Sequence, residues 1–180
     1  MEQNKTRFYL IRHGETDWNK GGRYQGCTNI QLNDAGREQA RLLGERFKFL
    51  PLDVVYVSPL DRAVATAEPL AAAHGLTPIQ DAHFREINFG EWEGHTIAEL
   101  KEKYGRAYID FFENPFDHPV PGEGSFQNAM DRALEGFEAL AERAKKLSLF
   151  VLLCTKYTIP PFSSIQSSSG HAIIECVCPA

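Results

Sequence analysis

Two short apolar runs, residues 7–11 and 53–57, are rich in β-branched and aromatic side chains and stop at turn residues, so both read as buried strands. A helical pattern follows each. Asn33-Asp34 supplies cap residues ahead of Ala40, Leu43, Phe47 and Leu50, which recur on one helical face. Ser58-Pro59-Leu60-Asp61 joins a capping hydroxyl, a first-turn proline and an acidic residue, which predicts a second helix starting where the second strand stops. Thr96-Ile97-Ala98-Glu99 is a capping box. Ser125 opens a longer helix with Phe126, Met130, Ala133, Phe137, Leu140 and Ala144 along one stripe. A further strand is expected over residues 149–153. This alternation predicts an α/β fold with a mainly parallel sheet, whose ligand crevice lies at the carboxyl ends of the strands. That rule singles out residues 12–16 and 58–62.

Composition narrows the functions open to such a fold. The chain has 180 residues, enough for one domain with a sizeable core, and its 43% hydrophobic and 24% charged residues exclude wholesale disorder. Nineteen Lys and Arg against 24 Asp and Glu give a net charge of -5, so the chain has no cationic surplus for a polyanion and nucleic acid is not an expected partner. The longest apolar run, residues 149–154, is too short for a bilayer, and the first 12 residues lack a signal-peptide core. No membrane association and a cytoplasmic location are therefore expected. The four cysteines are expected to be reduced thiols, and Cys176-Val177-Cys178 alone makes no metal site.

The composition breaks near the end. All charged side chains but Lys156 and Glu175 precede residue 148, whereas Ser58 and Ser125 are the only serines before it. Three of the four cysteines also lie beyond it. Residues 1–154 are expected to form the domain, and residues 155–180 an atypical Ser/Cys-rich tail that is either flexible or translated out of frame.

The residues that carry chemistry cluster where the crevice is expected. Arg12-His13-Gly14-Glu15-Thr16 closes the first strand, with Asn19 shortly after. Such a group suits a phosphate. A neutral imidazole at His13 can attack phosphorus with one nitrogen while the other donates its proton to a backbone carbonyl. Arg12 can clamp the equatorial oxygens, Gly14 permits close backbone approach, and Thr16 and Asn19 can donate further hydrogen bonds. Arg62, at the start of the second helix, is a candidate for a second guanidinium on the same group. Glu86 is the candidate proton donor, because an alkoxide leaves phosphorus poorly unless protonated and a nearby dianion raises a carboxyl pKa. Each piece alone would sooner suit a solvated arginine, a chance histidine or an Arg85–Glu86 ion pair.

Together, and in this order, these pieces resemble the histidine phosphatase superfamily, which includes the cofactor-dependent phosphoglycerate mutases. The resemblance rests on residues 12–19, on Arg23-Tyr24-Gln25-Gly26, on Arg62 within residues 58–68, and on Glu86 within Glu86-Ile87-Asn88-Phe89-Gly90-Glu91-Trp92-Glu93-Gly94. It implies a phosphoglycerate mutase-like three-layer α/β/α fold, phosphorylation of His13, phosphate contacts from Arg12, Asn19 and Arg62, a substrate loop with Gln25 and Gly26, proton donation by Glu86, and no cofactor or metal. The stretch from Glu86 and Pro121-Gly122-Glu123-Gly124-Ser125 look more like the small phosphatases, such as alpha-ribazole phosphatase, than like glycolytic mutases. The implied activity is a phosphomonoesterase on a small phosphorylated metabolite. A mutase-type phosphotransferase and a non-catalytic binder of phosphorylated ligands are the alternatives.

The chain departs from the family after the third strand. The family has a second histidine in a Ser-His-Gly turn there, and this sequence reads Cys154-Thr155-Lys156-Tyr157. His171 is the remaining histidine downstream and is expected to follow no strand. The fold is accordingly expected to be incomplete at its C-terminus, with a sheet edge left bare and activity weakened.

Overall fold

The computed structural model describes residues 5–120, 125–144, 149–154, 166–168 and 171–179. Chain order gives β1 (Lys5–Arg12), α1 (Asp17–Lys20), α2 (Asp34–Phe47), β2 (Val54–Val57), α3 (Asp61–Ala72), β3 (Ile79–Gln80), 3-10 turns at Ala82–Phe84 and Gly90–Trp92, α4 (Ile97–Tyr104), α5 (Arg106–Glu113), α6 (Phe126–Ala144), β4 (Leu149–Cys154), β5 (Gln166–Ser168) and β6 (His171–Pro179). The strands form one sheet in the order β3-β2-β4-β1-β6-β5. β3, β2, β4 and β1 run parallel, with Arg12 opposite Cys154 and Val57 opposite Leu153, and β6 and β5 are antiparallel.

Period-two alternation along β1 and β2 explains the layers. Tyr9, Ile11, Val55 and Val57 pack with Leu43 and Phe47 of α2 and with Ala63, Ala67 and Leu70 of α3. Phe8, Leu10 and Tyr56 pack on the opposite face, against Phe84 and Leu140. Each strand thus serves two helical layers, giving the three-layer α/β/α arrangement. A third cluster of Ile87, Phe89, Trp92, Leu100, Tyr108 and Phe111 packs the loop after Glu86 against α4 and α5.

Three local expectations change. Asn33 caps α2 through Gly36 N, as expected, but the helix ends at Phe47 and leaves Leu50 beyond it. Ser58 caps nothing: α3 starts three residues later, after Leu60, and Asn29 Oδ1 from a distant loop accepts the Asp61 N–H at 2.8 Å. A partner 32 residues away has replaced the local cap. α5 was not expected, because its sequence offers no capping side chain and its aromatic content argues against a helix. Burial of Tyr108 and Phe111 and an Arg106–Asp110 pair at 2.6 Å hold it.

The tail differs as well. β6 pairs with β1 from Lys5↔Pro179 to Ile11↔Ile173, so the edge of β1 is not bare. His171, expected to follow no strand, follows β5 and opens β6 opposite Ser168. Pro121-Gly122-Glu123-Gly124 and, within the tail, residues 155–165, 169–170 and 180 lie outside the described residues.

Candidate active site

β1 delivers Arg12 and His13 at its carboxyl end, and β2 leads through residues 58–60 to Arg62 in the first turn of α3. These residues line one cavity of about 200 Å³ with Asn19, Gln25, Gly26 and Glu86, while Gly22, Arg23, Tyr24, Phe89 and Ile97 form the rest of its described wall. Arg12, His13, Asn19, Gln25, Gly26, Arg62 and Glu86 are therefore brought together. Gly14 and Thr16 are not on that wall.

Gly14 owes its identity to packing. A Cβ there would stand 2.6 Å from Gly36 O, so the glycine lets α2 approach the strand end rather than opening space for phosphate. Gly36 answers it, since its own Cβ would meet Glu15 O at 2.1 Å. Thr16 is fully buried and caps α1, its Oγ1 accepting from Asn19 N and donating toward Gln25 Oε1 at 2.9 Å. Its hydroxyl is committed to the loop.

His13 is 8% exposed, and its Nδ1 lies 2.7 Å from Gly14 O. A carbonyl oxygen only accepts, so Nδ1 carries the proton and a neutral ring leaves the Nε2 lone pair available. Burial pushes the imidazole pKa down to about 3; the Arg62 and Arg12 cations act in the same direction, while the Gly14 carbonyl opposes them. His13 is accordingly neutral at physiological pH.

The two arginines are held differently. Arg62 is 1% exposed, and its Nη2 donates to Gly26 O at 2.7 Å and its Nη1 to Thr28 O at 2.9 Å. Burial lowers its pKa from the usual guanidinium range, with Glu86 opposing the shift. Arg62 Nε, Arg12 Nε and Ser58 Oγ are buried without a hydrogen-bond partner. Two orphaned guanidinium donors beside a neutral imidazole form a receptor for an anion, because a buried unsatisfied donor costs about 1–3 kcal/mol until it is partnered.

Glu86 is 5% exposed, and its Oε1 accepts from Ile87 N at 2.9 Å. The loop of residues 25–28 is fixed by a residue that the sequence pattern does not single out. Glu93 accepts from Cys27 N and Thr28 N, both at 2.8 Å, from Phe89 N at 3.0 Å and from the Thr28 hydroxyl. Gly26 adopts φ +52°, and a Cβ there would fall 2.0 Å from Glu93 Oε1. Glu93 thus holds the loop whose carbonyls hold Arg62. Nothing local distinguishes it from Glu91, which is exposed and takes the Tyr104 hydroxyl.

Among the described residues no group of three or more His, Cys, Asp or Glu could hold a metal ion, and no helix is long and apolar enough to cross a membrane. The arrangement offers a neutral nucleophile, two cations and a carboxyl around one anion-sized space.

Comparison with known proteins bears on this geometry. The family profile of the histidine phosphatase superfamily (branch 1) matches residues 8–158. The chain is 34% identical over 154 residues to phosphoserine phosphatase 1 of Hydrogenobacter thermophilus, covering 86% of this chain and 72% of that one. Its fold matches the solved structure of Bacillus stearothermophilus YhfR with a TM-score of 0.78 and 31% identity, over 85% of this chain and 75% of that one. A candidate alpha-ribazole-5'-P phosphatase from Escherichia coli superposes with a TM-score of 0.75 and 27% identity, over 83% and 73% of the two chains. The chain spans between 51% and 75% of the length of curated relatives that it matches.

Proposed function

This chain belongs to the histidine phosphatase superfamily (branch 1), and from that membership we propose that it is a phosphomonoesterase acting on a small phosphorylated metabolite through a phosphohistidine at His13. The observation that carries the reading is the His13 Nδ1 contact to Gly14 O at 2.7 Å in a buried, neutral ring beside Arg12 and Arg62.

The step balances simply. Nε2 attacks phosphorus, the P–O ester bond breaks, and the departing alkoxide takes a proton from Glu86. A water then attacks the phosphorus, its proton passes to the Glu86 carboxylate, and inorganic phosphate leaves with the N–P electron pair returned to Nε2. Arg12 and Arg62 stabilise the charge on the phosphoryl oxygens in both halves. Asn19 and Gln25, on the same wall, contact the phosphate or the organic group.

Turnover is weak in this reading. β4 ends at Cys154 opposite Arg12, and in the sequence the next residue is Thr155 in place of the histidine of the family's Ser-His-Gly pattern. Losing one charge-stabilising donor costs about a hundredfold to a thousandfold in rate. A substrate like alpha-ribazole phosphate is supported by the solved neighbour, and phosphoserine by the curated relative. The proposed setting is the cytosol, where the free thiol of Cys27 stays reduced.

Brief mixing with a radiolabelled phosphomonoester tests the reading. Acid-labile label on the chain, abolished in His13→Ala, is the expected result. Saturable binding with no label in the wild type would leave a binder of phosphorylated ligands instead. Incubation with phosphoglycerate and bisphosphoglycerate separates hydrolysis from mutase-type transfer.

A further inference from the structure

A second open cavity, of about 290 Å³, shares Glu86 with the first and has Ile87 and Ala129 on its wall with Arg85, Arg132, Asn88 and Asn128 around it. Its size is near the lower end for small-molecule sites. Its two arginines stand out in a chain of net charge -5. Arg23, Arg37, Arg41 and Arg106 each face a carboxylate, and Arg143 reaches the Tyr56 hydroxyl. Among the described residues, neither Arg85 nor Arg132 forms an ion pair. In this they match Arg12 and Arg62, which line the phosphate cavity.

Arg132 is held by carbonyls, donating from Nη1 to Ala82 O at 2.8 Å and from Nη2 toward Glu86 O at 3.5 Å. Carbonyls fix a guanidinium without cancelling its charge. Burial, followed by the like charge of Arg85, lowers the Arg132 pKa, so the two cations lie close enough to repel. Glu86, a wall of both cavities, is the one carboxylate on linings that carry five arginines, of which Arg23 faces Glu99. An anion of two charges placed between Arg85 and Arg132 would relieve that repulsion and take charge-assisted hydrogen bonds from both.

We propose that this second cavity is a binding site for a small organic dianion of the dicarboxylate class, separate from the phosphate cavity and sharing Glu86 as a wall. The Ser125 hydroxyl, on the same wall, already accepts from Asn128 N at 3.3 Å, so the side chains rather than the α6 terminus supply the recognition. Occupancy would offset two positive charges near Glu86 and raise its carboxyl pKa, favouring the protonated form.

Calorimetric titration of the full chain with malonate tests the site without reference to turnover, so it stands or falls apart from the phosphatase reading. Saturable one-to-one binding is expected, weakened at least about tenfold in Arg85→Glu and unchanged within about twofold in Arg12→Gln, given the strength of a charge-assisted pair. Arg85 is exposed, and Arg85→Gln carries the same direction of change should the charge reversal unfold the chain. Absence of saturable binding in the wild type, or binding lost in Arg12→Gln and kept in Arg85→Glu, overturns the proposal.

Discussion

At the scale of single residues, His13 carries the strongest physical consequence. Its folded pKa of about 3 lies below the ordinary imidazole value of 6.5. The unfolded chain therefore binds the extra proton first as pH falls, so the folded state loses stability through the window from 6.5 down to 3. Above 6.5 the ring is neutral in both states and the effect vanishes. Replacing the ring with a group that does not titrate removes this slope. Urea midpoints at pH 6.5 and 4.5 should show the wild type losing roughly 2–3 kcal/mol more than His13→Asn over that interval. Equal losses would mean that the ring is not held neutral by burial. Arg12, His13, Asn19, Arg62 and Glu86 were legible because their chemistry is carried by side-chain type at a strand end, a helix start and a loop. Glu93 was not, because what makes it matter is three backbone N–H groups from two separate loops meeting one carboxylate.

At the scale of elements, α3 shows where sequence patterns mislead. Ser58-Pro59-Leu60-Asp61 has every local mark of a helix start, yet Ser58 Oγ is buried without a partner and the cap comes from Asn29. The two residues should therefore respond in opposite ways. Asn29→Ala removes the acceptor for Asp61 N and should cost about 1 kcal/mol, the ordinary value of a lost cap. Ser58→Ala removes an unsatisfied buried hydroxyl and should be neutral or stabilising. Thermal melting of both variants measures this; a larger loss in Ser58→Ala would restore the local cap. The same reasoning separates α4 from α5. The α4 capping box lies within four residues, with Thr96 N donating to Glu99 at 2.7 Å, whereas α5 depends on tertiary burial that no local pattern contains.

At the scale of the whole molecule, the sheet follows the expected α/β scheme as far as β4, because alternating apolar runs and caps specify it directly. The antiparallel pairing of β6 with β1 could not be read from the tail's composition, since strand pairing is a long-range property. In the proposed reading, the sequence after β4 carries what limits turnover. Arg12 pairs with Cys154, the last residue of β4, and the second histidine of the family pattern is expected one position later in the sequence. In this chain that residue is Thr155. Thr155→His should then raise phosphatase turnover on the order of a hundredfold, because a donor near the transferring phosphoryl group stabilises charge that develops only in the transition state. The gain should appear in kcat with little change in KM and should vanish in His13→Ala/Thr155→His. A Thr155→His chain that labels at His13 yet turns over no faster would mean that the missing imidazole is not the limit, and that the slow step lies instead in how the substrate is seated between Arg12 and Arg62.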